Sequence, residues 1–192
     1  MTPARENILA RVRAALRTEA PRPPVPTEMP IWLPVGDIET RFREEFVALR
    51  GELIDGADKL PEFLKPFERV ATDGSELVRL AVGDGNASVR EADIGVTGCD
   101  CLIAQTGSVF VTTRSAGGRA LSVLPPVHLV IARRDQLVPD LAAAFALIRK
   151  RYDRHWPSSL CLITGPSRTA DIEKIVVMGA HGPKRIAVYF TG

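Results

Sequence analysis

The densest set of groups able to do chemistry is the string Thr164-Gly165-Pro166-Ser167-Arg168-Thr169-Ala170-Asp171. A strand of buried type, Leu160 to Ile163, runs into Gly165-Pro166, and Thr169 then reads as the N-cap of a helix from Ala170 to Met178. The free N–H groups of that helix start, the hydroxyls of Ser167 and Thr169 and the guanidinium of Arg168 suit a phosphate or a carboxylate. Asp171 and Glu173 partly neutralise the set; the plainer alternative is a well-capped helix whose Arg168 pairs with Asp171. His181-Gly182-Pro183 follows the expected end of the helix at Gly179. A histidine there can donate a hydrogen bond or move a proton, which makes His181 the candidate catalytic group, with Gly182 beside it. The alternative is a turn residue that only caps the helix. Open α/β sheets bind ligands at the carboxyl ends of their strands, and the ligand is expected there.

A second constellation is Ala104-Gln105-Thr106-Gly107-Ser108, a polar break between two apolar strands, followed by Ser115-Ala116-Gly117-Gly118-Arg119. One reading makes Gln105, Thr106 and Gly107 a cradle of backbone and hydroxyl groups, with Arg119 as a second anion clamp. The other makes them a hairpin turn and a flexible loop. Neither glycine group matches a dinucleotide or P-loop fingerprint. His128, His155 and His181 are too widely spread to suggest a metal site, so no metal is expected.

These groups sit in a chain of ordinary globular make-up. Its 192 residues, 45% hydrophobic and 25% charged, are enough for one domain with its own core. Aromatics at 6% and a net charge of +2 give neither a base-stacking surface nor the basic patch of a nucleic-acid binder. No apolar stretch approaches the length of a membrane span, and the N-terminus lacks the core of a secretory signal. The three cysteines, Cys99, Cys101 and Cys161, match neither a disulfide framework nor a metal spacing. Such thiols fit a reducing compartment, so a cytoplasmic location is expected.

The elements that must position the site follow from periodicity. Thr2-Pro3 caps a first helix with Ile8, Leu9, Val12 and Leu16 at helical spacing. Prolines between Pro21 and Pro34 then impose an extended strap, which Trp32 and Leu33 would dock. Residues 1–36 are thus expected as a helical arm and strap, and 37–192 as the α/β domain. Within the latter the pattern predicts helices over 38–53 and 139–152 and a short element over 59–66. Strands are predicted over 67–72, 77–82, 93–97, 102–104, 109–113, 127–132, 160–164 and 186–190. Arg149-Lys150-Arg151 would close the helix over 139–152 with favourable charge. Strands alternating with helices in the C-terminal half imply an open, mostly parallel sheet flanked by helices.

Four blocks carry a resemblance beyond periodicity. They are Ile163 to Glu173, Gly179 to Pro183, Ile103 to Ser108, and Arg119-Ala120-Leu121-Ser122-Val123-Leu124-Pro125. Together they resemble the signature of the lactate-utilisation (LUD) domain family over roughly residues 40–192, and the helical arm is similar to that of its short members. The resemblance implies a fold like that of sugar-phosphate isomerases and coenzyme A transferases. It also implies a part in oxidising L-lactate to pyruvate beside iron–sulfur partner proteins. One departure stands out: the family usually has glutamate where this chain has Gln105. An amide cannot replace a carboxylate as covalent nucleophile, so a transferase step centred there is not expected. The chain has no cysteine runs for iron–sulfur clusters and no dinucleotide fingerprint, so no cofactor of its own is expected. An accessory or substrate-handling subunit fits this better than a self-sufficient dehydrogenase. The alternative is a stand-alone enzyme or binding module for a phosphorylated or nucleotide ligand, and the sequence leaves a homo-oligomer open.

Overall fold

The near-continuous apolar runs become the central strands of a parallel sheet. The computed structural model describes residues 3–17, 21, 34–170 and 176–191, and divides into two units, Met1–Pro34 and Val35–Gly192. In the first, α1 spans Pro3–Ala15; Thr2, Trp32 and Leu33 lie outside the described residues. The second unit runs α2 (Ile38–Ala48), β1 (Glu52–Ile54), α3 (Lys59–Leu64), β2 (Val70–Thr72), α4 (Glu76–Val82), β3 (Ile94–Thr97), β4 (Cys101–Ile103) and β5 (Ser108–Thr112). It continues with β6 (Val127–Arg133), β7 (Leu137–Val138), α5 (Leu141–Tyr152), β8 (Leu160–Ile163), β9 (Arg168–Ala170), β10 (Val176–Met178) and β11 (Arg185–Thr191).

Five strands in the order β1-β11-β6-β3-β2 form an all-parallel sheet. Alternation along β6 assigns its two faces. Leu129 and Ile131 pack with Leu60 of α3 and Val78 of α4, while Val130 and Ala132 pack with Phe42 and Phe46 of α2. A second, four-stranded sheet in the order β7-β4-β5-β8 shares that latter core through Leu102, Val109, Val111 and Leu137. Its outer face is covered by α5, where Ala144 and Ile148 meet Cys101, Ile103 and Phe110. The layers are therefore helices, parallel sheet, second sheet with α2, and α5. This is an α/β protein with a mostly parallel sheet flanked by helices.

Asp37 starts α2 by accepting from the N–H groups of Glu39 (2.9 Å) and Thr40 (3.0 Å). The helix ends at Ala48, not Leu53, because Leu49 and Arg50 turn and Leu53 pairs with Val188 in β1. Residues 77–82, expected as a strand, form α4. Ser75 precedes it, Val78 is buried and Leu77, Ala81 and Val82 are partly buried, a spacing that lines one helical face. Short apolar runs carry this ambiguity, and tertiary packing settles it.

The larger correction concerns residues 170–178. Its described ends are strands, not helix: β9 and β10 pair antiparallel, Ala170 with Val176 and Arg168 with Met178. Thr169 therefore lies in a strand and not at a helix start, while Asp171 falls within 171–175, outside the described residues. Val176 and Val177 of β10 are β-branched, and that stiffness favours extended backbone. The alternation expected of the C-terminal half also changes. β6 and β11 are parallel neighbours, but β8 sits in the second sheet, antiparallel to β5. It is an edge strand, with Leu160, Cys161 and Leu162 exposed, rather than a buried one.

Candidate functional site

Ser167 joins the two segments that the sequence singled out. Its N–H donates to the Pro183 carbonyl (2.9 Å), its carbonyl accepts from the Gly179 N–H (3.0 Å), and its Oγ accepts from the His181 N–H (3.3 Å). The strand end at Thr164 and the loop at 179–183 thus meet although β9 and β10 separate them in the chain. Gly165 lets the same turn lie close against the end of α2. Its φ is +79°, and a Cβ there would lie 2.8 Å from the Leu49 carbonyl oxygen at the end of α2.

Between the two segments lies an open cleft of about 460 Å3, lined among others by Ser122, Ile163, Thr164, Gly165, Ser167, Arg168, His181 and Gly182. Arg168 and His181 are exposed and Ser167 is half-buried. The anion donors differ from those expected. With no helix start at Thr169, and with the Ser167 N–H bonded to Pro183, what the cleft offers is the Ser167 and Thr164 hydroxyls, the guanidinium and the imidazole.

The position also differs from the sequence-based expectation. The cleft lies at the carboxyl end of β8 but at the amino ends of β6 and β11, where the Lys184 N–H donates to the Pro126 carbonyl (2.8 Å). The carboxyl ends carry ion pairs instead. Arg43 reaches Asp55 (2.8 Å) and Glu39 (2.8 Å), and Arg134 reaches Glu39 (3.3 Å). The hydrogen bond from Arg43 holds the Asp55 carboxyl below its usual range. All four side chains are partly exposed, so each pair adds at most about 1 kcal/mol.

Gln105, Thr106 and Gly107 do not line the cleft. They form a 3-10 turn between the antiparallel β4 and β5, pressed against α2. Gly107 has φ +57°, and a Cβ there would lie 2.5 Å from the Phe46 nitrogen. The Gln105 Oε1 is enclosed and, among the described residues, has no hydrogen-bond partner. A relay of hydroxyls still connects this turn to the cleft: Thr106 Oγ1 to Ser108 Oγ (2.8 Å), and Ser108 Oγ to Thr164 Oγ1 (2.8 Å).

Arg119 lines a neighbouring cavity of about 270 Å3 with Gly118, Ser159 and Cys161. Burial pushes the Cys161 thiol up, and the positive charge of Arg119 opposes that shift. Gly118 and Arg119 follow a loop pinned by a cluster that sequence reasoning missed. The Asp100 carboxylate, fully buried, accepts from Ser115 Oγ (2.5 Å), Tyr152 Oη (2.7 Å) and Arg151 Nη1 (2.8 Å). Burial and the hydrogen bond to Asp100 both raise the Tyr152 phenol. The signal was an acid in the apolar run Cys99-Asp100-Cys101-Leu102-Ile103, where a carboxylate must find partners. Arg149, Lys150 and Arg151 do occupy the last turn of α5, as the charge pattern indicated.

The other histidines lie apart. His155 is exposed, and His128 is fully buried on β6 with its Nε2 2.9 Å from Thr97 Oγ1. Burial lowers the His128 pKa to about 4. Burial also raises both Cys99 and Cys101, the latter to about 12, which keeps them as thiols. Among the described residues, no group of three or more His, Cys, Asp or Glu side chains could hold a metal ion. Likewise, no described helix is long and apolar enough to cross a membrane.

A mostly parallel sheet flanked by helices defines the class as α/β. A solved DUF162 family protein from Deinococcus radiodurans shares this fold, with a TM-score of 0.58 at 22% identity over 81% of this chain and 97% of that one. The LUD domain profile matches residues 57–191, and the chain belongs to the LUD domain family. Among proteins similar in sequence is lactate utilization protein C of Bacillus licheniformis, 34% identical over 82% of this chain and 60% of its own length. The protein of that name from Geobacillus kaustophilus is 36% identical over 56% and 46% respectively. The chain spans about half the length of the curated relatives it matches.

Proposed function

We propose that this protein serves lactate utilisation as an accessory or substrate-handling subunit, binding a small carboxylate in the cleft between residues 164–168 and 181–183. The observation that carries the reading is the closure of these two segments on Ser167, which sets Arg168 and His181 around one cleft. The names of the relatives supply the pathway. Arg168 matches a carboxylate by charge and fork geometry, and the Ser167 hydroxyl remains able to donate. A 2-hydroxy acid also presents a hydroxyl whose proton an imidazole such as that of His181 can accept.

Oxidation of the hydroxy acid also needs an electron acceptor, which this reading assigns to iron–sulfur partner proteins. The thiols of this chain suit no cluster: Cys99 and Cys101 are buried and Cys161 lies on a different strand. Gln105 is half-buried beside α2 with its Oε1 enclosed, and it is an amide, so no covalent acyl step is assigned to it.

Calorimetric titration with L-lactate and pyruvate tests the site. Arg168→Ala is expected to weaken binding by about 1.5–3 kcal/mol, the size of a charge-assisted hydrogen bond. A loss below about 0.5 kcal/mol would place Arg168 outside the site. Deleting the gene should abolish growth on L-lactate; normal growth would remove the pathway assignment.

A further inference from the structure

The cleft and the Arg119 cavity share Ser122, Val123 and Cys161, so they adjoin as one groove along β8, with Val111 to Thr113 of β5 lining its Arg119 end. Leu160 and Cys161 line one end, and Thr164 to Arg168 the other. At the rise of an extended strand, the distance from Leu160 to Thr164 is about 13 Å. The cleft of about 460 Å3 already falls in the range that takes a drug-sized molecule, and the Arg119 cavity adds about 270 Å3. A three-carbon hydroxy acid would occupy one corner. The middle of the groove is uncharged, walled by Val123, Cys161 and Ile163.

We infer that the groove binds an extended ligand with two separated anionic groups, one held at Ser167 and Arg168, the other at Arg119, with an uncharged stem between them along β8. The inference rests on the anion site proposed above and adds the Arg119 subsite to it. Two observations place Arg119 there. It lines the groove at the Leu160–Cys161 end, and its loop is fixed by the buried Asp100 through Ser115 rather than left to wander. The floor is equally fixed: a Cβ on Gly95 of β3 would overlap the Leu121 carbonyl, so the segment bearing Ser122 and Val123 rests directly on the parallel sheet. Carboxylate and phosphate heads share this chemistry, and the stem length is what the groove selects.

Cys161 reports occupancy without any assay of activity. It is exposed while Cys99 and Cys101 are buried, so iodoacetamide should alkylate it first, and mass spectrometry gives the rate. Octanedioate, decanedioate and dodecanedioate are compared with octanoate and L-lactate as protectants. The expected result is that the best dianion protects at concentrations at least tenfold below octanoate. Arg119→Ala should bring that dianion back to the octanoate value, and Arg119→Lys should retain most of the gain. Arg168→Ala should weaken every protectant. Equal protection by dianions and octanoate, or a dianion indifferent to Arg119→Ala, overturns the two-headed ligand. If Arg168→Ala still weakens protection in that case, the single anion site survives. If neither arginine matters, both readings fall.

Discussion

Two turns of similar composition lie against the same helix and have opposite fates. Residues 104–107 and 164–167 both mix glycine with hydroxyl residues, and both rest on α2, the first at Glu45 and Phe46, the second at Leu49. The first is sealed, with Gln105 Oε1 enclosed and Gly107 wedged against the helix backbone. The second leaves Thr164 and Arg168 exposed on a cleft. The difference lies in the strands that lead to them. β4 and β5 are interior to the second sheet and their hairpin closes on itself, whereas β8 is an edge strand among the described residues. Open edges leave room for a ligand, and interior hairpins fill with packing.

The sealed side should be the more sensitive to added volume. Gly107→Ala is expected to cost about 4 kcal/mol in urea unfolding, from a left-handed φ and overlap with the α2 backbone. The sealed interior also holds His128, whose folded pKa of about 4 lies below the usual 6.5. Between those values the unfolded chain takes a proton that the native chain refuses. Stability should therefore be undiminished above pH 6.5 and fall by about 3 kcal/mol as pH drops to 4. Unfolding midpoints across that range check it, and His128→Gln should flatten the slope.

Gly165→Ala, on the open side, should cost only about 2 kcal/mol, because its neighbour Leu49 ends the helix and can move. A cost equal to that of Gly107→Ala would erase the contrast between the turns. The hydroxyl relay offers the smallest test. Ser108→Ala should lower stability by about 1 kcal/mol and change carboxylate affinity by less than that. A tenfold loss of affinity would mean that the sealed turn contributes to the site through Thr164.

Much of the fold was legible because long runs declare themselves. Val127 to Ala132 reads as a strand covered on both faces, and it is the centre of the parallel sheet. The helix over 139–152 is found at Leu141–Tyr152, where Asp140 caps it by accepting from the Ala143 N–H (2.8 Å). Short runs were not legible. Residues 77–82 fit a strand as well as a helix until Val78 found the core below the parallel sheet. Residues 170–178 fit a helix by spacing while their β-branched side chains favoured extended chain. Within the site, residue types identified Ser167, Arg168 and His181 for one cleft. They could not tell that the Gln105 Oε1 is enclosed, since an enclosed amide and an exposed one look alike in a sequence.

What the sequence by itself determined was inventory: which groups can bind an anion, which segments bear the LUD signature, and which runs are apolar enough to be strands. Only the tertiary structure decided placement. Strand pairing between residues far apart in the chain set which turn is enclosed and which stays open. Those pairings depend on how whole faces are covered, a property of the assembled layers that no local window contains.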